Sequence, residues 1–336
     1  AAGTIGAFGL AQRLDFLALD LLAPYRAAPP DNRLIVVEID QHSLDVHGRW
    51  PWPRQLQARL IDRLAEARPA VIGYDVHLAE PSTAEPEGDR ALEAAIARPG
   101  NVVLPLVAEA PLYGQPPMEV LPFGQLPAVA TALGHSHLAA DGDGRLRRLH
   151  LEAGIGDAFW PAFALAVESV VRNGPGRART ARPMAPDQLP LGYVAKRERL
   201  IPFADIFRTV RHYSAAELLR DDATFDAAGA IVLVGVTARG VWPLRDISIG
   251  AATALVPPVY VHALAVHALV HGATLEPVAW PGLAAMLLVA AAVLPWLALL
   301  GRSRTGGFGW TAACLATPLL VGIFTLLLTR TMLPFT

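Results

Sequence analysis

The stretch Leu34-Ile-Val-Val-Glu-Ile-Asp40 starts a pattern in which short apolar runs alternate with amphipathic segments. Its β-branched residues predict a buried strand, and residues 70–75 and 101–107 repeat the same kind of apolar run. Between these runs, apolar residues at helical spacing predict helices over residues 53–67 and 89–97. Strands that alternate with helices indicate a parallel sheet whose crossover helices cover its faces.

The later part of the chain adds one clear strand and further helices to this pattern. Ala230-Ile-Val-Leu-Val-Gly-Val-Thr237 predicts a buried strand, residues 163–171 predict a helix, and residues 259–270 predict a helix or a strand that leads into one. Residues 133–151 predict a β-hairpin around the turn Asp141-Gly-Asp-Gly144. We therefore expect an α/β fold with a mostly parallel central sheet, flanking helices and a β-hairpin.

The 336-residue chain is short of charge, with 17% charged and 53% hydrophobic residues. The shortage is local, because residues 281–329 hold only Arg302 and Arg304, and the rest of the chain is about 20% charged, close to an ordinary globular value. A net charge of −2 gives no basic surface for nucleic acid. A single cysteine, Cys314, excludes an internal disulfide framework and a cysteine-based zinc site.

The apolar tail predicts a membrane hairpin. Residues 281–300 and 310–330 are each long enough to cross a bilayer as a helix, and the loop 301–309 carries arginine and no acid, which favours the cytoplasmic side. Residues 13–275 are then an extracytoplasmic domain. Residues 1–12 are apolar but too few to span a bilayer, so they are either the remnant of an amino-terminal membrane helix or a buried segment.

Three polar side chains end predicted strands, namely Asp40, Asp75 and Thr237. Ligands of parallel sheets bind at the carboxyl ends of the strands, so these side chains form one candidate site if their strands are neighbours. The alternative is that Asp40 and Asp75 cap the turns or helices that follow them. Two carboxylates without a paired nucleophile or base do not specify catalysis.

Two histidines, His135 and His137, flank Ser136 on a predicted strand, so both rings are expected on the same side. Together with Asp141 or Asp143 they have the ligand types of a metal site, whereas the alternative is a hydrogen-bonded pair near a turn.

Two arginines are further candidates for ligand binding. Arg147 shares a predicted strand face with Arg145, which suits either an anionic ligand or a solvated surface. Arg54 ends the motif Trp50-Pro-Trp-Pro-Arg54, whose tryptophans either cover the edge of the core or form a lid near Asp40.

Several of these segments resemble the signature of the CHASE extracellular sensor domain of the second type, over about residues 14–272. The resemblance is carried by Glu38-Ile-Asp40 and Gly48-Arg-Trp-Pro-Trp-Pro-Arg54. It is supported by Ile72-Gly-Tyr-Asp75, Asn101-Val-Val-Leu104, Gly134-His135, Asp141-Gly-Asp-Gly144 with Arg147, Ile231-Val-Leu-Val-Gly-Val-Thr-Ala238 and Val261-His-Ala263. The chain departs from the family pattern between residues 240 and 258, where it reads Trp242-Pro-Leu-Arg-Asp246.

The resemblance implies a bacterial receptor, with a sensor outside the inner membrane, several membrane helices and a cytoplasmic output module of nucleotide cyclase or histidine kinase type. Such a chain would be a multi-pass protein of the bacterial cell membrane, would form a homodimer and would contact the lipid bilayer but no nucleic acid. We expect no catalytic residue, cofactor or metal in this chain. A small-molecule or protein signal is expected to bind near Asp40, Arg54, Asp75, His135, Arg147 and Thr237.

Two other functions stay open on the sequence alone. The first is a membrane-anchored, metal-dependent hydrolase that uses His135, His137, Asp40 and Asp75, and stoichiometric zinc or manganese in the purified domain would favour it. The second is a structural module that mediates dimerisation, which a robust dimer without ligand-dependent stabilisation would favour.

Overall fold

The fold is described from a computed structural model of the chain. The described residues are Phe16, Asp20, 23–109, 118–155, 158–175, 182–183, 194–203, 210–241, 244–249, 252–277 and 331–332.

The centre of the molecule is a mostly parallel sheet, as the sequence predicts. Its strands are β1 (Leu34–Ile39), β2 (Val71–Asp75), β3 (Val102–Glu109), β4 (Met118–Val120), β5 (Ala132–His135), β10 (Arg211–Ser214) and β11 (Ile231–Val236). They follow the order β10-β1-β11-β2-β3, with β5 beside β3 and with β4 as an antiparallel strand on the end of β3. Strands β1, β11 and β2 are therefore direct neighbours in the sheet.

Helices cover both faces of this sheet. They are α1 (Gln41–His47), α2 (Arg54–Glu66), α3 (Pro86–Ala97), α4 (Leu126–Val129), α5 (Phe163–Asn173), α6 (Ala215–Leu218) and α7 (Pro258–Val270), and a 3-10 turn covers Ala23–Tyr25. Successive residues of β1 point to opposite faces: Val36 joins the core around α5 and α7, whereas Ile35 and Val37 join the core around α2 and α3. The buried strands thus serve two apolar cores, which explains their continuous apolar runs.

A second, antiparallel sheet covers the core around α5 and α7. Its strands β6 (Arg148–Gly154), β7 (Ala158–Pro161), β8 (Arg182–Pro183) and β9 (Val194–Leu200) follow the order β8-β7-β6-β9. A hairpin of β12 (Arg245–Ile249) and β13 (Ala252–Val256) packs on the same core, and β14 (Glu276–Pro277) pairs with β15 (Thr331–Met332).

The hairpin expected over residues 133–151 is wrong. The turn itself is present, since the Gly144 N–H donates to the Asp141 carbonyl at 2.8 Å. The two flanking segments separate, however: β5 pairs in parallel with β3, and β6 pairs with β7 and β9. All four residues of β5 are buried, so this strand is stabilised inside the central sheet rather than on a two-stranded hairpin. Another hairpin, β12–β13, lies in the stretch where the chain departs from the family pattern.

No helix within the described part of the chain is long and apolar enough to cross a membrane. The predicted membrane segments 281–300 and 310–330, the loop 301–309 and residues 1–12 all lie outside the described residues.

The close approach of helix α7 to the sheet depends on a glycine. A Cβ atom on Gly235 of β11 would lie 2.5 Å from the Val259 Cβ, closer than side chains pack. Gly134 plays the same part under α5, where a Cβ would lie 2.5 Å from the Phe163 Cα. The amino-terminal ends of both helices are therefore seated directly on the sheet.

Candidate functional site

The carboxyl edge of the central sheet brings three of the predicted site residues side by side. Ile39 of β1 pairs with Val236 of β11, and Gly235 pairs with Asp75 of β2. Asp40 and Thr237 follow directly after the first of these pairs. The expectation that these polar strand ends meet at one edge is met, because the three strands are adjacent and parallel.

Asp40 acts as the cap of helix α1. Its Oδ1 accepts a hydrogen bond from the Ser43 N–H at 2.8 Å and another from the Ser214 hydroxyl at 2.9 Å. The Ser43 hydroxyl in turn accepts from the Ala216 N–H at 3.0 Å. Asp40 therefore ties β1, α1 and α6 together, which is the capping role considered above as the alternative.

Asp75 lines a small cavity at the start of helix α7. The cavity has a volume of about 40 Å³ and is lined by Asp75, His77, Val236, Pro258 and Val259. This is room for about three water molecules. Burial raises the pKa of Asp75 to about 6, while the nearby His77 acts to lower it. No described residue donates a hydrogen bond to this carboxylate, so it is available to a ligand.

His77 connects the cavity to strand β5. Its Nε2 lies 3.2 Å from the Ser136 hydroxyl oxygen, which also lies 3.3 Å from the Leu106 carbonyl oxygen. Burial lowers the pKa of His77, Asp75 raises it, and His262 of helix α7 lowers it further. The pKa of His77 is lowered overall, which favours its neutral ring at neutral pH.

Four further histidines gather behind His77, and we refer to all five as the histidine cluster: His77, His135, His137, His150 and His262. His135 is 2% exposed and His262 is 1% exposed. Burial lowers the pKa of His135 to about 3 and that of His262 to about 4, with neighbouring positive groups adding to both shifts. The rings of His137 and His150 lie 6.3 Å apart, between centroids.

Arg245 of the β12–β13 hairpin borders the histidine cluster. Burial and the neighbouring His150 lower the pKa of His137 most, and the charge of Arg245 lowers it further. For His262, burial is the largest cause of the lowered pKa and Arg245 adds to it. The Nε atom of Arg245, the Nδ1 atom of His262 and both ring nitrogens of His135 are buried without a normal hydrogen bond to a described residue. Burial has the largest effect on the pKa of His135 and lowers it. A backbone group of His150 near the ring acts in the opposite direction and raises this pKa.

Arg147 is not among the residues that line the Asp75 cavity and is surrounded by carboxylates of its own chain. It is 4% exposed and forms ion pairs with Asp20 at 2.7 Å, Asp143 at 2.8 Å and Asp141 at 3.1 Å. Its guanidinium also stacks over the Phe16 ring at 4.5 Å. The structure therefore places Arg147 in an internal ion-pair network, and its predicted contact with a ligand stays a prediction.

Arg54 is not among the residues that line the Asp75 cavity. It donates to the Glu80 carbonyl at 3.0 Å, approaches Asp89 at 3.5 Å and lies over the Phe123 ring. In the motif before it, Trp52 is buried and donates its indole N–H to the Gly48 carbonyl at 3.0 Å. One tryptophan of the motif therefore packs in the core.

A metal centre finds no support in the described part of the chain, where no three histidine, cysteine, aspartate or glutamate side chains are arranged to hold an ion. Asp141 and Asp143 face Arg147 instead of the histidines. Asp40 caps α1, so the four residues of the proposed hydrolase do not form one site.

Sequence reasoning missed His77, His150, His262 and Arg245. His77 had a local signal, because it follows Asp75 by two residues and extends from the same strand end. His262 stands within Val261-His-Ala263, which had been used only to identify the family. His150 and Arg245 have no local signal, since the second sheet and the β12–β13 hairpin bring them to the cluster.

An α/β domain with buried ionisable groups around a cavity at its sheet edge has the construction of a ligand-binding domain. The family model of the CHASE2 domain matches residues 1–300, and the chain therefore belongs to the CHASE2 family. CHASE2 domains are extracellular sensor domains of receptors and are sensory rather than catalytic. The chain matches no curated protein and no solved structure.

Proposed function

We propose that the chain is the sensor and membrane portion of a bacterial transmembrane receptor, which detects an extracytoplasmic signal and relays it to a cytoplasmic output module of nucleotide cyclase or histidine kinase type. The family supports the sensing role. The observation that carries the location of the site is the Asp75 cavity, where a largely buried carboxylate has no hydrogen-bond donor among the described residues.

The Asp75 cavity suits a signal because its buried carboxylate has no hydrogen-bond donor among the described residues. A buried carboxylate without donors is costly, and a ligand that donates hydrogen bonds to it recovers part of that free energy. A ligand shifts a conformational equilibrium only by its different affinity for the two states. A ligand that donates a hydrogen bond to Asp75 would favour the conformation in which the cavity is open to it.

Helix α7 provides a route from the cavity to the ends of the domain. It begins at Pro258 and Val259, which line the cavity, and its 13 residues extend over about 20 Å. At its other end, His267 donates to the Pro29 carbonyl at 2.8 Å, and His271 Nε2 lies 3.1 Å from Asp31 Oδ2. A displacement of α7 at the cavity would therefore reach the segment that precedes β1 and the residues that lead toward the predicted membrane helices.

The membrane setting of the proposal rests on residues 281–300 and 310–330 and on the arginines between them. In this arrangement the sensor domain lies outside the bacterial cell membrane and its signal passes through the helices, with a homodimer as the signalling unit. Expression of the chain in bacteria, followed by membrane extraction with carbonate, tests this setting. Recovery of the chain in the extracted supernatant would contradict it.

Ligand-induced stabilisation tests the site. The purified full chain is heated with a panel of small metabolites, alongside Asp75→Asn and a matched control, Asp221→Asn, at an exposed position. We expect a ligand that raises the melting temperature of the wild type and of Asp221→Asn by several degrees and that of Asp75→Asn by much less. Equal stabilisation of all three proteins would place the ligand elsewhere, and no stabilisation by any compound would count against a small-molecule sensor.

A further inference from the structure

We propose that the histidine cluster and Arg245 form a binding site for a small oxyanion, a carboxylate or a phosphate, that is taken up together with at least one proton. The inference rests on the sensing role proposed above and names the class of ligand.

Basic side chains converge on this site from several elements. His77 follows β2, His135 and His137 come from β5 and the residues after it, and His150 comes from β6. Arg245 of β12 and His262 of α7 complete the group. Among these histidines, Asp75 acts on His77, whose pKa it raises. Asp246 follows Arg245 on the strand, so alternation places it on the opposite face of the hairpin.

Several polar atoms of this group, on His135, Arg245 and His262, are buried and lack a hydrogen bond to a described residue. Among the described residues, four of the eight buried side-chain polar atoms without a hydrogen bond belong to His135, Arg245 and His262. Native structures hold few such atoms, and each one costs free energy. Their concentration at one place indicates a position suited to a ligand that accepts hydrogen bonds from N–H donors.

The charge of the site selects an anion. Arginine keeps its positive charge at every physiological pH, so a cation would be repelled by Arg245. An apolar ligand would leave the buried nitrogen atoms unsatisfied. An oxyanion accepts hydrogen bonds from the Arg245 guanidinium and from histidine N–H groups, which are strong when the partners are charged.

Proton uptake follows from the same geometry. In the empty site, burial and mutual repulsion hold the pKa values of His135, His137 and His262 below the ordinary value. An anion beside these rings favours their charged form and raises their pKa values. Because binding then draws protons from solution, affinity must rise as the pH falls, by about tenfold per pH unit for one coupled proton. Asp75, with a pKa of about 6, becomes neutral in the same range and ceases to repel the anion.

Titration calorimetry on the purified full chain tests the proposal with inorganic phosphate and with acetate as probes. Each probe is titrated at pH 5.5 and 6.5, in two bulky buffers of different ionisation enthalpy, so that the protons taken up per anion can be counted. We expect saturable binding of at least one probe, about tenfold tighter at the lower pH, with uptake of about one proton. Binding of phosphate alone, of acetate alone or of both then shows whether the site accepts a phosphate, a carboxylate or either.

Two variants locate the binding event. His262→Gln and Arg245→Gln should each weaken binding at pH 5.5 by tenfold or more, and His262→Gln should also reduce the proton uptake. His42→Gln, at an exposed position on α1, is the matched control and should bind like the wild type. If one variant fails to fold, the other still reports on the site.

Absence of saturable binding of both probes at pH 5.5 would overturn the proposal, as would unchanged binding by the folded variants. Binding without proton uptake would overturn its proton-linked part. None of these results would contradict the sensing role, which would still be supported by a ligand of another class whose stabilising effect depends on Asp75.

Discussion

At the scale of single residues, the domain keeps two kinds of buried polar group. Tyr74 is fully buried and donates its hydroxyl to Gln57 Oε1 at 2.9 Å, and Gln57 donates to the Trp52 carbonyl at 2.8 Å. This chain of hydrogen bonds is satisfied and stabilises the core. The Asp75 carboxylate is its opposite, since burial raises its pKa and no described residue donates to it. The contrast separates a structural polar group from a candidate functional one.

Replacement of Tyr74 by Phe should destabilise the domain by about 1–3 kcal/mol, because Gln57 Oε1 loses its donor in a buried place. Urea denaturation of the variant and of the wild type measures the difference. Tyr213→Phe is the matched control: this tyrosine is half-buried and keeps its ring contact with Phe225, so a change within about 0.5 kcal/mol is expected. Equal effects of the two substitutions would contradict the role given to the Tyr74 hydroxyl.

Replacement of Asp75 by Asn should stabilise the domain in a pH-dependent way. The pKa of Asp75 is raised from 3.8 to about 6, so the folded state is penalised above pH 6 and the penalty disappears as the pH falls toward 4. The gain of the variant should therefore reach at most about 3 kcal/mol at pH 8 and vanish near pH 4. Denaturation midpoints across this range measure it, and a gain that is independent of pH would show that the carboxylate is not the cause.

At the scale of elements, helix α7 is seated on the sheet by contacts at its amino-terminal end. Gly235 allows the close approach of Val259 at the cavity end. Next to it, Tyr260 donates its hydroxyl to Glu38 Oε1 at 2.9 Å, and burial together with the Glu38 charge raises the pKa of Tyr260. The position of α7 therefore depends on the same strand ends that form the candidate site.

Replacement of Gly235 by Ala should destabilise the domain by about 1–3 kcal/mol and weaken ligand binding at the cavity, because the new Cβ overlaps Val259. The double variant Gly235→Ala/Val259→Ala should recover part of the stability, since the second change removes the overlapping methyl groups. Thermal unfolding of the single and double variants measures the coupling free energy between Gly235 and Val259. Additive losses would show that the overlap is relieved elsewhere.

At the scale of the whole molecule, α7 connects the cavity with the segment that precedes the first strand. His271 and Asp31 form the contact at the far end. The pKa of Asp31 is lowered chiefly by its hydrogen bonds with Arg33, and its hydrogen bond with His271 lowers it further. The domain therefore offers one continuous path from the sheet edge to the segment through which the signal would leave it.

Replacement of His271 by Ala should loosen this far end while the cavity stays intact. We expect faster amide hydrogen exchange over residues 23–33 and unchanged exchange over residues 71–77, because the lost ring contacts, with Asp31 and with His267, both lie at this end of α7. Mass spectrometry of exchanged peptides measures both regions. His212→Ala, at an exposed position on β10, is the control, and faster exchange throughout the sheet would argue for a general loss of stability instead.

Local sequence patterns predicted the elements well because hydrophobic periodicity is a property of neighbouring residues. The strands before Asp40, Asp75 and Thr237 are where their apolar runs place them, and the alternation with helices makes these strands parallel. The hairpin prediction was wrong because strand pairing depends on which strands lie side by side in the fold. Strand β5 pairs with β3, which lies about 30 residues earlier in the chain. Arg147 shows the same limit, since its partner Asp20 is distant in sequence.

The α/β class, the polar strand ends at one sheet edge and the likeness to an extracellular sensor domain follow from the amino-acid sequence, through local periodicity and motifs along the chain. The helix-capping role of Asp40, the carboxylates around Arg147, and the meeting of the histidine cluster with Arg245 beside the Asp75 cavity emerge from the folded chain. These facts depend on burial and on contacts between distant segments, which determine whether an ionisable side chain is paired, neutral or available to a ligand.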